Sequence, residues 1–400
     1  MYHVKILCVF GKHQYGDASR GIGTEYAAFL PALKRLGHEV IHFESWNRSY
    51  YRDFLELNRA LLDTIENQRP EIMLVVQMLY EIWLETLEII KARGDVATIC
   101  WTTDDSWKYR EVSRFIGHGY HGMTTTYESI VPMYHRDGIP NVLLTQWAAN
   151  VDHLCEPFPA SSCRYPVTFV GAAHGDRRKR VDELRRSGVE VTCFGHGWPS
   201  GSISANDIPR IMQESVISLN FANSKGENQV KARIFEVSGA GGFLLTEDVH
   251  GLSKFYVPDK EIVTFTTNDE LVNKINYYLI HAGVRDKIAR AGFERTRREH
   301  TYDFRLKEVL EFALQSQKND IASVRISQAP SFEKASYLYH ANLFMKVLRA
   351  VLLLLCVAVW GRRRGRRAAR RILFELSWRL FGDKTFSSAG WPGILFYNES

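Results

Sequence analysis

"SVISLNFANSKGENQVKARIFEVSGAGGFLLTED", residues 215–248, holds one complete structural unit. Val216–Phe221 is an apolar run of strand length, and a polar loop leaves its carboxyl end. Arg233–Ala240 has the spacing of a short helix, Gly239–Gly242 break it, and Gly242–Glu247 make a second apolar strand. Two strands buried on both faces and joined through a helix predict a parallel pair inside an α/β sheet. In such sheets ligands bind outside the carboxyl ends of strands, where helix N-termini offer free N–H groups and a positive dipole end. Lys231 and Arg233 stand at that helix start, and Glu236 lies about one turn in. Cations suit a pyrophosphate and a carboxylate suits a ribose diol, so Lys231, Arg233 and Glu236 are candidates for a nucleoside diphosphate. The alternative is an ordinary surface helix whose Arg233 and Glu236 form an i,i+3 pair of ~0.2–0.5 kcal/mol. Spacing alone does not separate the two.

The same rhythm runs through most of the chain. In residues 1–147, "VKILCVF", "HEVIHFE", "EIMLVVQ", "ATICW", "GMTTTY" and "VLLTQW" read as strands, with helices between them. Residues 148–165 carry two prolines and polar residues and read as a linker. In 166–317 the rhythm restarts with "PVTFVG", "VEVTCFG", "VISLNF", "GFLLTE" and "EIVTF", followed by three helices near 268–281, 284–299 and 303–316. The pattern predicts two Rossmann-like, parallel-sheet lobes facing a cleft. Residues 318–342 read as a connector and 343–400 as a separate apolar and polybasic tail.

Further candidates sit at other strand ends. "TFVGAAHGDRRKR" places Gly171 after a strand and Arg177 at a helix start, a second phosphate-facing position; Arg178, Lys179 and Arg180 read as a solvated face. Gly195 in "CFGHGW" lets backbone approach a ligand, and Asn220 ends the strand ahead of the Lys231 loop. In the first half, "FGKHQYGDASRGIGTEYAAF" offers His13 and Asp17 as catalytic candidates and Gly21 and Gly23 as acceptor-loop positions, in a long loop after a strand that is too long for a dinucleotide-binding turn. "CWTTDDSW" puts Asp104 and Asp105 at another strand end, with Asp104 as the candidate base for an acceptor hydroxyl and Asp105 as a helix N-cap or acceptor-loop residue.

Composition excludes other classes. The net charge of +6 is concentrated in seven arginines between Arg362 and Arg371; the rest is close to neutral. Six scattered cysteines form no CxxC or Cys/His ladder, which argues against zinc and fits a reducing compartment. The N-terminal apolar run is short for a signal peptide, so the expectation is a cytoplasmic protein.

"WTTDDSW", "VTFVG", "CFGHGW", "SVISLNF", "QVKARIFEVSGAGGFLLTE" and "REHTYDFRL" together give the chain, over about residues 4–315, a resemblance to the CgeB-type (spore-maturation-protein-like), group 1-like glycosyltransferases of GT-B fold. The resemblance implies sugar transfer from a nucleotide-diphosphate sugar held mainly on the second lobe to an acceptor on the first; the apolar and polybasic tail alone points to a lipid-linked or cell-surface glycan as that acceptor. It implies no cofactor and no metal, with helix ends and cations stabilising the leaving diphosphate. Related retaining enzymes carry two glutamates eight positions apart. Glu236 matches the second, but the first falls on Asn228, so the sugar-holding acid is missing or moved, for instance to Glu227. The alternatives are a nucleotide-sugar epimerase of the same architecture and a non-catalytic sugar-nucleotide-binding scaffold.

The tail, residues 343–381, has an uninterrupted apolar core of eleven residues, Ala350–Trp360, beside the arginines. As a helix that core spans ~16 Å, about half a bilayer's ~30 Å. The expectation is an interfacial helix on an anionic membrane, holding the protein peripherally at the inner face; the alternatives are a terminal helix packed on its own protein, a dimer contact and, last, a nucleic-acid contact.

Overall fold

The computed structural model describes residues 3–201, 203–222, 229–323 and 330–399. Their contacts divide the chain into two compact units, residues 1–145 with 307–400 and residues 146–306. Each is built on one parallel sheet.

The first sheet contains β1 (Lys5–Val9), β2 (Glu39–Phe43), β3 (Ile72–Val75), β4 (Ala97–Trp101), β5 (Gly122–Thr125) and β6 (Val142–Leu144), in the order β2-β1-β3-β4-β5-β6. Val9 is in register with Phe43 on one side and Val75 on the other. The second contains β7 (Tyr165–Val170), β8 (Thr192–Phe194), β9 (Ser215–Asn220), β10 (Leu244–Glu247) and β11 (Val263–Phe265), in the order β11-β10-β9-β7-β8. Each run read as a strand forms one; β3 and β4 are buried throughout, as short apolar runs are when pairing and burial on both faces satisfy them, while β2 is only partly covered. β8 is shorter than its "VEVTCFG" pattern. Crossover helices follow the same reading, for example Phe54–Gln68, capped by Asp53 on Glu56 N at 2.9 Å.

The carboxyl half of the chain departs from the expected division. The helix expected at 303–316 runs from Tyr302 to Ser323, and from residue 307 it belongs to the first unit. A Cβ at Gly122 of β5 would meet Phe312 at 3.0 Å and Ser316 at 3.2 Å, and Lys91 pairs with Asp320 at 2.9 Å. Residues 332–399 are likewise integral to the first lobe, in place of a connector and a separate tail. Trp83 packs on Phe332 and Tyr339. Phe374, fully buried, touches Tyr80 and Phe386. The Tyr397 hydroxyl donates to the carbonyls of Arg48 (3.0 Å) and Tyr51 (2.8 Å). Among the arginines, Arg371 reaches Glu111 at 2.7 Å. The physical reason is that Phe374, Phe386 and Tyr397 complete a core that the strands alone leave open.

The long helical segment Leu343–Phe381 is broken at Gly361, whose φ of 72° and ψ of 169° are non-helical. Beyond the break the chain doubles back. A Cβ at Gly365 would lie 2.5 Å from the Cys356 carbonyl oxygen, so the two arms pack backbone to backbone. Met345 and Cys356 of the first arm are buried in one cluster with Ala369 and Leu373 of the second.

Candidate functional site

In the second lobe the winding reverses at β7 and β9, which lie side by side while their onward connections run to opposite flanks. That is where an open α/β sheet leaves a crevice at its strand ends. The loops after β7 and β8 are held together there. Gly171 N donates to Phe194 O at 2.8 Å, and the Trp198 indole donates to Gly171 O at 2.7 Å. Gly195 has φ 131°, and a Cβ on it would sit 2.4 Å from Gly171 O, so only glycine fits. The two glycines predicted to admit a ligand thus pack first against each other.

Arg177 opens the helix Arg177–Arg186 over the Phe169 ring at 5.3 Å. Its Nη1 donates to Ala172 O at 3.1 Å, while its Nε is buried without a hydrogen-bond partner. Burial, and then the neighbouring Arg233 charge, lower its pKa. Arg180, expected on a solvated face, is instead clamped by Asp176 (2.8 Å) and Glu247 (2.5 Å). Glu247 also takes the backbone N–H of Ala222, which ties the ends of β9 and β10. Arg178 donates to Gly197 O, leaving Lys179 as the solvated member.

Lys231 is the N-cap of the helix Ala232–Gly239, extended at φ −116°, with no side-chain cap to its N–H groups. Arg233 Nη1 lies 2.8 Å from Glu236 Oε2, both about one quarter to one third exposed. The i,i+3 pair weighed as the ordinary alternative is therefore present. It coexists with an Arg177–Arg233 repulsion that such a surface pair does not explain. Asn220 lies lower: its side-chain amide donates to Thr246 Oγ1 at 2.9 Å and it is buried, a cross-strand tie beneath the site. Glu227 and Asn228 lie outside the described residues.

The glycine-rich break has a packing reason. A Cβ at Gly239 would meet Ala149 Cβ at 2.7 Å, and at Gly241 (φ 73°) the Cys155 carbonyl at 2.4 Å. The segment after β6 runs directly across this turn, and its Ala149 brackets His300 and Tyr302 through backbone bonds of 2.9 and 3.0 Å.

In the first lobe the winding reverses at β1 and β3. The loop after β1 folds on itself: His13 bridges Ile22, and Gly23 N donates to Lys12 O at 2.9 Å. Asp17 accepts from Ser19 Oγ (2.6 Å) and Ser19 N (3.0 Å), with Arg20 at 3.4 Å. The Ser19 bonds hold its carboxyl below the usual range, which makes it a turn-former and a poor base. Gly21 takes φ 84°, and Gly23 is the N-cap of the helix Thr24–Arg35.

After β4, Asp104 is held in the left-handed region at φ 56°, ψ 37°, a conformation costing of order 1 kcal/mol for a residue with a Cβ. Asp105 is a correction. It is 1 % exposed and caps nothing; its carboxylate accepts from Thr102 (2.7 Å), Ser113 (2.7 Å) and Tyr134 (2.9 Å). Burial pushes its pKa up, and its oxygens are spent inside the core.

One group escaped the sequence reading. Glu25, in the first turn of the Thr24 helix, is only 9 % exposed, and burial raises its pKa. Lys108, itself buried, favours its charge, and Asp104 opposes it, so the three form one electrostatic cluster at the ends of β1 and β4. Lys108 Nζ also reaches Thr103 Oγ1 at 3.4 Å. The signal lay in the helix pattern: Glu25 stands four and eight residues before Phe29 and Leu33, an acid on the apolar face. Among the described residues no group of three or more His, Cys, Asp or Glu is placed to hold a metal ion.

Residues 177–311 match a family model described as glycosyl transferase-like. Among solved structures, a glycosyltransferase from Rickettsia africae is similar at TM-score 0.53 and 12% identity, over 80% of this chain and 100% of its own. The lipopolysaccharide outer core galactosyltransferase WaaB, in its apo form, follows at 0.52 and 11%, covering 78% and 99%. Anabaena HepE, in complex with UDP, gives 0.50 and 12%, covering 80% and 100%. The sequence matches no curated protein. The fold is thus GT-B, and residues 177–311 carry a glycosyl transferase-like sequence.

Proposed function

We propose that this protein transfers a sugar from a nucleoside diphosphate sugar to an acceptor hydroxyl, in the manner of the CgeB-type branch. One observation carries the reading: two part-buried guanidiniums, Arg177 and Arg233, stand at the β7/β9 strand ends beside a helix N-terminus with no side-chain cap, and the Arg177 Nε is buried with no hydrogen-bond partner. Burying like charges is costly unless an anion compensates them, and a diphosphate does so. Arg177, Lys231, Arg233 and the N–H groups of the Ala232 helix hold the diphosphate and stabilise its developing charge without a metal. Glu236 exchanges Arg233 for the ribose hydroxyls.

On the first lobe the acceptor hydroxyl gives its proton to Glu25, which Lys108 and Asp104 tune. A bond forms from the acceptor oxygen to the anomeric carbon. The bond from that carbon to the diphosphate oxygen breaks, and its electron pair leaves with the nucleoside diphosphate.

The acceptor is a lipid-linked or surface glycan at the inner face of a membrane. Support comes from the first arm of the C-terminal hairpin. Leu343, Val347, Val351, Leu354 and Val359 expose an apolar stripe, and exposed Arg362–Arg364 follow at the bend. The helix is long and apolar enough to cross a membrane by length and composition, but the fold back at Gly361 favours lying in the interface.

The test is thermal shift and calorimetry with a panel of nucleoside diphosphates and their sugars, uridine diphosphate first. Binding of one nucleotide, undiminished by chelator, is expected; no binding across the panel would end the transferase reading. Flotation with phosphatidylglycerol vesicles should carry the chain upward, and equal flotation with uncharged vesicles would remove the electrostatic part of the membrane assignment.

A further inference from the structure

A cavity of about 330 Å³ lies in the first lobe, at the strand ends where the winding reverses. The loop after β1 supplies Tyr15 and Arg20, the loop after β2 supplies Trp46 and Arg48, and the loop after β3 supplies Met78–Glu81. These are the neighbours β2-β1-β3 of the sheet, so the cavity occupies the position where such folds bind ligands. Its remaining wall comes from far along the chain. Arg367 and Arg370 of the second hairpin arm line it.

The charges are unequally spent. Glu81 accepts from the backbone of Met78 (2.5 Å) and Leu79 (2.8 Å); Glu399 Oε1 is taken by Arg366, while its Oε2 is buried with no hydrogen-bond partner. Asp17 holds Ser19 and Arg20. Arg48 donates to Ser45 O at 2.9 Å and covers the Phe54 ring, while its Nε is buried with no hydrogen-bond partner. Among the described residues Arg367 and Arg370 make no ion pair, and the Arg370 Nε is buried with no hydrogen-bond partner. An orphaned guanidinium N–H beside a cavity costs free energy that an oxyanion recovers. Tyr15 adds a second sign of construction. It is held at φ 55°, ψ 28°, with the Arg20 guanidinium 5.2 Å from its ring centroid. Bulky side chains rarely adopt that backbone conformation without a reason.

We propose that this cavity receives the phosphate of an amphipathic acceptor, a lipid phosphate or diphosphate, between Arg367 and Arg370 with Arg20 opposite. This deepens the transferase reading and rests on it. Tyr15, Trp46 and Leu79 cover the first carbons next to the phosphate. The exposed stripe on the preceding helix arm keeps the rest of the chain in the lipid layer. The C-terminal hairpin then does two things at once: it binds the membrane and completes the acceptor site.

The experiment is calorimetry on the full chain in uncharged detergent micelles, with farnesyl phosphate, farnesol, inorganic phosphate and dihexanoyl phosphatidylglycerol as probes. Farnesyl phosphate should bind at least about tenfold more tightly than the other three, since only it joins a phosphate monoester to an apolar chain. The Arg367→Ala and Arg370→Ala variants should each lose about tenfold, with Arg370→Lys recovering part of the loss. Arg367 is exposed, so its variant reads the site even if Arg370→Ala fails to fold. Wild-type affinity in the double variant would overturn the proposal. So would equal binding of inorganic phosphate, which means a simple anion site, or of the phosphatidylglycerol, which means a bulk membrane contact. Uridine diphosphate titrated into the same samples separates the two readings. If it fails to bind while farnesyl phosphate binds, the transferase reading falls and the cavity stands as a lipid-phosphate site. If only the nucleotide binds, the acceptor assignment alone falls.

Discussion

Replacing Arg177 by methionine tests the donor site with one change of charge. The methionine keeps an apolar stem over the Phe169 ring, where Arg177 now lies at 5.3 Å. One unit charge about 4 Å from a phosphate charge is worth at most about 4 kcal/mol at an effective dielectric of about 20. Part of that is offset because Arg177 is already half buried and must shed its remaining water. A charged hydrogen bond contributes about 1.5–3 kcal/mol net, so affinity for uridine diphosphate should fall about 10- to 100-fold. The free protein should respond differently. It loses the bond to Ala172 O but also the repulsion from Arg233 and an unpartnered buried Nε. Its unfolding free energy should therefore change by no more than about 1 kcal/mol. Calorimetric titration at low and physiological salt, with denaturant unfolding of the free protein, reads both quantities. Weak binding with an intact fold is the expected signature. Unchanged affinity in Arg177→Met and in Arg233→Met would refute the reasoning, because the two cations at these strand ends would then hold no anionic ligand.

Two other outcomes follow from single residues. Glu25→Gln should lower turnover about 10²- to 10⁴-fold with donor binding intact, and should remove the rise of activity with pH set by the raised Glu25 pKa. The sign for stability is opposite to that of a salt-bridged carboxylate. A folded-state pKa above the unfolded value of about 4.3 means that stability is lost as pH climbs between the two, so the glutamine variant should gain on wild type above that window; a pH-independent difference in denaturant midpoints would refute it. Phe374→Ala should cost about 3–5 kcal/mol, since the ring is fully buried between Tyr80 and Phe386. A loss under about 1 kcal/mol in urea unfolding would mean that the C-terminal segment is no part of the first-lobe core.

The strands were legible because each carries its own signal. "IMLV" and "ATICW" are buried on both faces and short, which leaves a parallel sheet as their solution. The helix starts at Arg177 and Lys231 were legible from the local pattern, and the structure places helices at Arg177–Arg186 and Ala232–Gly239; the diphosphate they are proposed to hold was not decided by that pattern. Asp105 was misread because its sequence context, an acid before Ser106, matches a helix cap. Only the arrival of Ser113 and Tyr134 from other elements makes it a core hub. Glu25 was passed over because its neighbours Gly21 and Gly23 drew the reading to the backbone. Burial raises its pKa, and the charge that offsets this comes from Lys108, distant in sequence.

The sequence by itself determined the two parallel-sheet lobes, their strand order of appearance, and the cationic helix starts, because local periodicity and the chemistry of strand ends need no partner from elsewhere. It could not decide where the last hundred residues go. An apolar run next to seven arginines has the composition of a free membrane tail, and local pattern cannot distinguish a face turned to lipid from one turned to a protein core. Tertiary structure decided it. The bend at Gly361 and the close approach at Gly365 fold the segment into a hairpin, one arm of which gives Phe374 to the first-lobe core and Arg367 and Arg370 to its cavity.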